Sequence, residues 1–395
     1  MSDQETYDVI VVGGGPSGAT AAHDLAKAGR KVLLLDKAGR IKPCGGAIPP
    51  RLIRDFDIPD HLLKAKVRTA RMISPRDQQV DMPIKGGFVG MVDREEFDEW
   101  LRERAEQAGA VRCKGLFIKI IRDGQGVPVV HYQSRDGSFT TGQARGRIII
   151  GADGANSLVA RQEVPGADKT KFVFAYHEII ARPKDDEDLA NRCEIYYRGS
   201  LSPDFYSWIF PHGDTMSVGT GSAKKGFSLK NSVADLRALT GLDRTESIRK
   251  EGAPIPLKPL KRWDNGRDVI LAGDAAGVVA PASGEGIYYA MLGGRLSAEA
   301  AELVLQTGDA RALASARQRF MKLHGRVFWI LGIMQYFWYS SDKRRESFVK
   351  ICRDPDVQRL TWEAYMNKEL VRTDIMAHIR IFFKDLAHLF RLVSP

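Results

Sequence analysis

The sequence has few of the residues that crosslink a fold or bind metals. Its 395 residues include four cysteines, and neither C-x-x-C spacing nor a His/Cys metal pattern occurs among Cys44, Cys113, Cys193 and Cys352. We therefore expect no disulfide framework and no metal site. Isolated thiols fit a reducing compartment.

Long apolar runs are also missing. No uncharged stretch reaches the roughly twenty residues that cross a bilayer. The first residues, MSDQE, have neither the basic nor the apolar segment of a secretory signal, so we expect a cytoplasmic protein.

Positive charge is in moderate excess. Lys+Arg number 59 and Asp+Glu 49, a net charge of +10, which indicates an anionic partner such as a diphosphate, an acidic membrane or nucleic acid. Zinc-finger, recognition-helix and RNA-binding patterns are missing and the basic residues are spread along the chain, so we expect no nucleic-acid partner. The length and ordinary apolar content allow two domains or one large composite domain.

The first forty residues carry the most specific pattern. The β-branched run from Asp8 to Val12 predicts a buried parallel strand that stops at glycine. Gly13, Gly15 and Gly18 follow at G-x-G-x-x-G spacing. Gly13 permits a tight turn, Gly15 leaves room for a pyrophosphate, and Gly18 lets the next helix pack closely on the strand.

A helix and a second strand complete this pattern. Small and apolar residues from Ser17 to Ala28 predict a helix that Gly29 ends, and Lys31 to Leu35 predict another buried strand. Asp36 closes that strand eighteen residues after Gly18, near the separation at which an acid binds a ribose. The ordered set favours a dinucleotide site over a plain βαβ turn.

The segment 40–50, RIKPCGGAIPP, is predicted to form a loop because proline and glycine disfavour regular structure. It holds Cys44 beside Gly45 and Gly46. This thiol is either an inert small hydrophobe or a group that lies against a ligand, and the sequence leaves both open.

The next helix is predicted to begin at Asp93. This residue is the expected N-cap, with Glu96 at the capping-box position and Gly109 at the helix end. Arg94 lies in the first turn, where the helix dipole disfavours a cation. The position indicates an anionic partner, with a solvated surface arginine as the alternative.

Two later segments repeat the strand-to-glycine pattern. The run 147–150 leads into Asp153, and the run 268–272 leads into Asp274. We interpret both as returns to the first sheet, with Asp274 placed to hold a polyol hydroxyl. The helix that follows Gly286 offers free N–H groups and a positive dipole end to an anionic group.

Aromatic residues mark one strand of the strand-rich region 171–261. Tyr206, Trp208 and Phe210 recur at period two and therefore face one side of a sheet. Such a face is either ordinary core or the wall of a cavity.

Together these motifs resemble those of FAD proteins of the para-hydroxybenzoate-hydroxylase type, over about three quarters of the chain. More specifically, PCGG at 43–46 with YxWxFP at 206–211 resembles the geranylgeranyl reductase branch. The runs 336–342 and 356–366 look like the reductases of chlorophyll and bacteriochlorophyll synthesis, most of all the bacteriochlorophyll enzyme.

The resemblance implies an α/β fold with a discontinuous, Rossmann-like FAD-binding domain at 1–75, 93–165 and 264–310. It implies an inserted antiparallel-sheet substrate domain at 76–92 and 166–263. A C-terminal helical region follows at 311–395.

The resemblance also assigns roles to residues. The glycine loop would hold FAD, with Asp36 on the adenosine ribose, Asp274 on the ribityl chain and Arg94 near the pyrophosphate. The implied cofactor positions are Gly13, Gly15, Pro16, Ser17, Gly18, Asp36, Lys37, Cys44, Gly45, Gly46, Ala47, Arg94, Asp153, Gly273, Asp274, Gly284, Gly286 and Ile287. The implied substrate positions are Tyr206, Trp208, Phe210 and Pro211.

The implied reaction is saturation of three double bonds of a geranylgeranyl chain to give phytyl, on the (bacterio)chlorophyll a ester or on the free diphosphate. NADPH is the implied reductant, although no second nucleotide fingerprint exists for it. A hydride would reach one alkene carbon and a proton the other, and Cys44 or a water could supply the proton.

Two rival functions remain. An aromatic hydroxylase shares the flavin motifs but needs a small pocket with polar anchors. A non-catalytic prenyl-binding escort protein shares the fold without needing FAD, and the intact glycine set argues against it.

A final feature is the apolar segment 327–339, which is too short to span a membrane. Cations bracket it, namely Lys322, Arg326, Lys343, Arg344 and Arg345. One interpretation is peripheral contact with an anionic, photosynthetic membrane, and the other is a buried helix that closes a substrate tunnel.

Overall fold

The computed structural model describes residues 6–37, 41–137, 140–183 and 187–368. The chain forms two compact units. The first contains Met1–Cys44, Val92–Ala175 and Glu251–Gly332, and the second contains Gly45–Met91, Tyr176–Lys250 and Ile333–Pro395. The division by contacts thus places 45–75 in the second unit, whereas the sequence grouped these residues with the nucleotide domain. The functional roles assigned to the domains stay predictions.

The strands are, in chain order, β1 (Thr6–Val12), β2 (Val32–Asp36), β3 (Ala47–Ile48), β4 (Leu63–Val67), β5 (Thr69–Ile73), β6 (Gln79–Pro83), β7 (Val89–Val92), β8 (Val111–Arg122), β9 (Pro128–Ser134), β10 (Thr141–Gly151), β11 (Phe172–Ala181), β12 (Arg192–Tyr196), β13 (Ser207–His212), β14 (Thr215–Ser222), β15 (Ser247–Pro256) and β16 (Val269–Leu271).

The α-helices are α1 (Pro16–Lys27), α2 (Pro50–Asp55), α3 (Arg94–Gln107), α4 (Leu158–Glu163), α5 (Glu187–Asn191), α6 (Leu229–Leu239), α7 (Ile287–Thr307), α8 (Ala314–Trp338), α9 (Asp342–Ile351) and α10 (Pro355–Asn367).

The first unit is built on a parallel sheet with β1 at its centre. Strands β2 and β10 flank β1, with Val9 paired to Val32 on one side and to Ile148 on the other. β8 extends the sheet beside β2, and β16 extends it beside β10, both in parallel. β9 joins the far ends of β8 and β10 in antiparallel pairing. The predicted α/β class is confirmed.

Helices α1 and α7 pack on each other through residues without side chains. A Cβ at Gly294 of α7 would lie 2.1 Å from the Ser17 carbonyl oxygen of α1. At the far end of the pair, Arg30 donates two hydrogen bonds to Glu302, at 2.7 and 2.6 Å. The small residues of the predicted helix therefore serve close helix packing.

The second unit contains a sheet in the order β15-β11-β14-β13-β12-β5-β6 and a smaller one in the order β3-β7-β4. The larger sheet is antiparallel from β14 to β12 and parallel between β12 and β5. Helix α6 buries Val233 and Leu236 in a core that includes Ile209 and Val218.

Two details differ from the sequence expectations. Within the expected loop 40–50, Ala47–Ile48 is a strand paired with β7, and Pro50 opens a helix. The three prolines permit both, because proline fits the first turn of a helix and an irregular strand end. Residue 40 and the C-terminal residues 369–395 lie outside the described ranges.

The third difference concerns Arg345, which we expected from the sequence to be one of the membrane-facing cations. Its side chain is buried and donates to Asp342 Oδ1 at 2.6 Å and to the carbonyl oxygens of Pro203 and Tyr339. That interpretation of Arg345 is wrong, because its donors stabilise backbone carbonyls within the second unit.

No described helix is both long and apolar enough to cross a membrane.

Candidate functional site

The glycine loop between β1 and α1 is held by contacts that only glycine allows. Gly13 has φ +110°, and a Cβ there would lie 2.3 Å from the Ala152 carbonyl oxygen. A Cβ at Gly18 would lie 1.8 Å from the Gly13 carbonyl oxygen. By contrast, no described atom lies within 4 Å of a Cβ at Gly15. Two glycines therefore close the turn, and the third leaves open space above it.

The N-terminus of α1 fits a diphosphate. Pro16 opens the helix, and no side chain of the described residues caps it. The Ser17 hydroxyl is buried and has no hydrogen-bond partner among the described residues. Free N–H groups, the helix dipole and an unpaired buried hydroxyl are what a pyrophosphate oxygen would satisfy. The residues present therefore fit the diphosphate of FAD.

Asp36 lies beside this loop and accepts a hydrogen bond from the Gly14 N–H at 2.8 Å. It lines a cavity of about 300 Å³ with Leu34, Glu99, Arg102, Arg112, Cys113 and Lys114. Arg102 also donates to the Gly14 carbonyl oxygen at 3.2 Å. Lys37, the neighbouring predicted position, is exposed. The cavity places Asp36 where a ribose hydroxyl could bind.

Sequence reasoning missed the charged walls of this cavity. Glu99 accepts from Arg102 at 2.8 Å and from Arg112 at 2.8 Å, and the two arginines lower the pKa of this carboxyl against the opposing effect of burial. The i, i+3 spacing of Glu99 and Arg102 on α3 was a local sequence signal for that pair. Lys114 comes opposite Asp36 only through the register of β8 with β2, which the tertiary structure sets.

Arg94 has a different environment from the one its sequence position indicated. It is buried in the first turn of α3, which Asp93 caps by accepting from the Glu95 N–H at 2.8 Å. Its Nε and Nη2 donate to both oxygens of Asp98, at 2.8 and 2.7 Å. The anionic partner that the position of Arg94 in the first turn indicated is therefore the carboxylate of Asp98, one turn further along α3.

The same guanidinium contacts Cys44. Burial alone would lower the pKa of Arg94, but Asp98 and a hydrogen bond to the Cys44 sulfur hold that pKa above its ordinary value. Arg94 therefore stays charged beside a partly exposed thiol. The structure brings together two predicted site residues that lie fifty positions apart.

Asp153 is occupied with local structure. It accepts from the Ser157 hydroxyl at 2.5 Å and from the Leu158 N–H at 2.7 Å, at the start of α4. Burial raises its pKa, and these hydrogen bonds oppose that effect. These contacts fix the turn that follows β10.

The turn after β16 places Asp274 against Lys42, whose ammonium donates to its carboxylate. A Cβ at Gly273, which has φ +64°, would lie 2.7 Å from the Ser17 Cβ. A Cβ at Gly286 would lie 3.9 Å from Asp274 Oδ1. The predicted positions around Asp274 thus gather at the Ser17 end of α1.

The N-terminus of α7 lies in the same region. Gly286 is its N-cap and Ile287 its first residue, and no described side chain caps it. Gly284, two residues earlier, has φ +66°. As at α1, the positive end of the helix dipole favours an anionic ligand there.

The second unit carries the aromatic face predicted for β13. Neighbouring ring centroids are 6.0 Å apart for Tyr206 and Trp208, and 6.2 Å apart for Trp208 and Phe210. Tyr206, Trp208 and Pro211 are buried, and Phe210 is half-buried. The period-two prediction that the rings share one face is confirmed.

Polar residues of β14 and β11 orient Trp208. Its indole N–H donates to the Ser217 hydroxyl at 3.0 Å, and that hydroxyl lies 2.9 Å from His177 Nδ1. A Cβ at Gly219 would lie 2.2 Å from Trp208 Cζ2. Ser217 was missed because only the pairing of β13 with β14 brings it to Trp208. His177 was missed because only the position of β11 beside β14 brings it to Ser217.

The glycines that follow Cys44 reach this face. A Cβ at Gly45 would lie 2.9 Å from Phe210 Cδ2 and 3.9 Å from Trp208 Nε1. Gly46 has φ +72°, and Ala47 then enters β3. The predicted loop and the predicted aromatic strand are therefore packed together from Gly45 onward.

No cluster of three or more histidine, cysteine, aspartate or glutamate side chains suited to a metal ion occurs in the part of the chain that the structure describes.

The open space above Gly15 generates a prediction. In Gly15→Val the two γ-methyl groups occupy the volume through which the diphosphate approaches, and no described atom obstructs them. We expect the variant to fold with wild-type secondary structure and to purify without FAD. Flavin absorbance relative to protein is the measurement.

The matched control is Gly18→Ala, in which the new methyl group collides with the Gly13 backbone. This variant should lose thermal stability whether or not FAD is present, since backbone atoms cannot move aside cheaply. Stoichiometric FAD in Gly15→Val would show that the loop does not hold the diphosphate.

Comparison with known proteins assigns the family. A family model described as an FAD binding domain matches residues 6–319. The "Geranylgeranyl diphosphate reductase" of Rhodobacter capsulatus is 59% identical, over 98% of this chain and 99% of that protein. The protein of the same name from Synechocystis is 37% identical, over 97% of this chain and 98% of its own length.

Solved structures show the same fold. A geranylgeranyl bacteriochlorophyll reductase-like protein from Thermoplasma acidophilum superposes with a TM-score of 0.81 at 23% identity, covering 95% of this chain and 96% of that one. A flavin-dependent brominase superposes with a TM-score of 0.76 at 19% identity, covering 98% of this chain and 100% of that one. At such identities the likeness shows the fold alone. Because the match to the Rhodobacter protein extends over nearly the whole of both chains, this chain belongs to the geranylgeranyl diphosphate reductase family of FAD-dependent oxidoreductases.

Proposed function

We propose that the protein uses FAD and NADPH to saturate three double bonds of a geranylgeranyl chain, giving phytyl. The observation that carries the proposal is the aromatic face of β13 with the Gly45 loop packed on it. A long hydrocarbon requires an extended apolar wall, and neighbouring rings spaced about 6 Å apart supply one. The relatives named geranylgeranyl diphosphate reductase support the same assignment.

The residues that would hold FAD are those around the N-termini of α1 and α7. Gly13, Gly15 and Gly18 would shape the diphosphate site, Asp36 would bind the adenosine ribose, and Asp274 would bind the ribityl chain. FAD bound there and reduced by NADPH would supply the hydride that adds to one alkene carbon. NADPH provides the two electrons for each double bond.

The protein must also supply a proton to the other alkene carbon. An isolated trisubstituted alkene has no carbonyl to take up charge, so the proton has to be held close by in a dry site. We assign it to the Cys44 thiol, which the buried guanidinium of Arg94 holds in place through a hydrogen bond to sulfur. The contact with Arg94 fixes the position of the sulfur from which the proton would leave.

The aromatic face would orient the chain and exclude water. Ser217 holds the Trp208 indole in one orientation, so the ring presents a fixed surface to the hydrocarbon. The substrate is the (bacterio)chlorophyll ester, the free diphosphate or both. The net positive charge of +10 favours either the anionic diphosphate or an anionic membrane that carries the ester.

The rival functions fit less well. Flavin-dependent monooxygenases and halogenases share the fold, but their identities to this chain are only 18–22%. An aromatic hydroxylase requires polar anchors for a small acid, whereas the aromatic face consists of the neighbouring rings of Tyr206, Trp208 and Phe210. An escort protein has no need of the open, uncapped helix N-termini.

We also propose that α8 contacts a membrane that carries anionic lipid. Lys322, Arg326, Trp329, Ile333 and Tyr336 follow one another at steps of four and three residues, which places them on one stripe of the helix. The three apolar side chains are 68%, 48% and 85% exposed. The opposite side of the helix is buried through Phe320, His324 and Phe328, so only the exposed stripe is proposed to meet the membrane.

A direct assay tests the proposed reaction. Purified holoenzyme with NADPH should convert geranylgeranyl diphosphate, geranylgeranyl-bacteriochlorophyll a or both into the phytyl product through dihydro and tetrahydro intermediates. Mass spectrometry of the products is the measurement. Oxidation of NADPH without a change in the mass of either prenyl substrate would contradict the proposal.

Replacing Cys44 tests the proton donor. Cys44→Ser should keep FAD bound and be reduced by NADPH at the wild-type rate, while chain reduction slows by about 10²-fold or more because a hydroxyl is a far weaker acid. Stopped-flow absorbance separates the two half-reactions. The matched control is Cys352→Ser, at a buried cysteine that follows α9, and it should leave both half-reactions unchanged. Wild-type turnover in Cys44→Ser would show that Cys44 serves packing alone.

Liposome sedimentation tests the membrane contact. Trp329→Ser and Tyr336→Ser should each weaken binding to phosphatidylglycerol liposomes by about threefold to tenfold, since each removes a large apolar group from the interface. Changing Lys343 and Arg344 to Gln should weaken the salt dependence of binding. Ile248→Ser, at an exposed isoleucine of β15, is the control that should leave binding unchanged, and equal binding by all variants would exclude α8.

A further inference from the structure

Helix α10 presents one apolar face to the same part of the second unit that holds Phe210. A buried cluster there consists of Val67, Ile84, Val89, Met91 and Cys193. The half-buried side chains that pack against this cluster include Ala47, Phe210, Trp362, Tyr365 and Met366. The last three form the inner face of α10, at helix positions i, i+3 and i+4.

The inner face contains a donor that has no acceptor. The Trp362 indole N–H is fully buried and lacks a hydrogen-bond partner among the described residues. Tryptophan N–H groups that are buried are usually paired, because leaving a buried donor unpaired is unfavourable. An oxygen atom of a ligand would satisfy this donor.

Met366 fills space that a glycine leaves. A Cβ at Gly87 would lie 2.6 Å from the Met366 Cε, so the thioether end of the side chain occupies the place of a side chain at position 87. Methionine has three rotatable bonds and adapts readily to a neighbouring ligand. This end of the face can therefore adjust its shape without movement of the backbone.

Polar contacts hold α10 at its edges and leave the inner face apolar. Asp354 caps the helix by accepting from the Asp356 N–H at 2.9 Å. Gln358 donates to the Asp81 carbonyl oxygen at 3.2 Å, and Arg51 donates to the Asn367 carbonyl oxygen. The helix is thus anchored beside β6 and α2 independently of what lies on its inner face.

We propose that the inner face of α10 is a wall of the prenyl-substrate site, with Trp362 donating its N–H to the oxygen at the head of the chain and Met366 packing on the hydrocarbon. The inference rests on the proposed function and extends it to residues outside the aromatic strand. The chain then lies between Phe210 and α10, with its oxygen end at Trp362.

The test uses FAD-loaded full-length protein and geranylgeranyl diphosphate. Trp362→Phe keeps an aromatic ring and removes the donor, and it should raise the KM and the Kd about tenfold with little change in kcat. Met366→Ala removes the contact with the chain and should weaken binding about threefold to tenfold. Thr361→Ala, on the exposed side of α10, is the matched control and should match the wild type.

Two further readouts separate a substrate wall from a merely structural helix. FAD content and the rate of flavin reduction by NADPH should be unchanged in all three variants. Geranylgeraniol serves as a second ligand. If Trp362→Phe weakens the diphosphate alone, the acceptor is a phosphate oxygen. If it weakens both ligands equally, the acceptor is the oxygen on the first carbon, and both results support the proposal.

Wild-type affinity and product pattern in both Trp362→Phe and Met366→Ala would overturn the inference, as would a loss of thermal stability without a change in KM. Failure of the proposed function has a different signature. In that case the wild-type enzyme itself leaves geranylgeranyl diphosphate and the pigment ester unreduced.

Discussion

The first unit depends on the close approach of backbones where side chains are missing. The carbonyl oxygens of Gly13 and Ser17 lie so near Gly18 and Gly294 that a single methyl group would collide with them. These contacts fix α1 against β1 and against α7. As a result the N-terminus of α1 opens beside the turn that follows β16, and uncapped N–H groups accumulate at one edge of the parallel sheet. A diphosphate needs that arrangement, and the glycine spacing encodes it directly.

Local patterns predicted this part of the fold well for a physical reason. A strand buried on both faces requires an unbroken apolar run, and a helix that packs at backbone distance requires small residues. Both requirements appear in the sequence as patterns of neighbouring residues. The period-two spacing of the rings of β13 is a pattern of the same kind. Side chains that meet only through strand pairing form no such local pattern in the sequence. Ser217 reaches Trp208 through the pairing of β13 and β14, and His177 reaches Ser217 because β11 lies beside β14. No spacing in the sequence predicts either contact.

The roles of charged residues were the hardest to predict from the sequence, because the role of a charged side chain depends on its ion-pair or hydrogen-bond partner. Arg94 was identified as an unusual cation in a first turn, and its partner is the internal carboxylate of Asp98. Arg345 was grouped with exposed cations, yet it is buried and donates to backbone carbonyls. Glu99, Arg102 and Arg112 were not singled out, although they line the cavity beside Asp36. The Arg94–Asp98 pair lies within one helical turn, so its i, i+4 spacing could have predicted it. By contrast, Arg345 reaches the Pro203 carbonyl and Arg112 reaches Glu99 only in the folded chain.

The Cys44–Gly45 peptide bond stands where the first segment of the first unit ends and the second unit begins along the chain. Cys44 is the last residue of the first unit's opening segment and contacts the buried guanidinium of Arg94. Gly45 begins the second unit, and its missing side chain lets Phe210 lie against the loop backbone. Under the proposed reaction Cys44 is the proton donor, and the Arg94 guanidinium, whose charge Asp98 balances, holds its thiol in place. The glycine has a separate structural role, because a side chain at position 45 would collide with the Phe210 ring and displace the aromatic strand from the loop. Two consecutive residues therefore carry different constraints, one from a charged neighbour in the first unit and the other from close packing in the second.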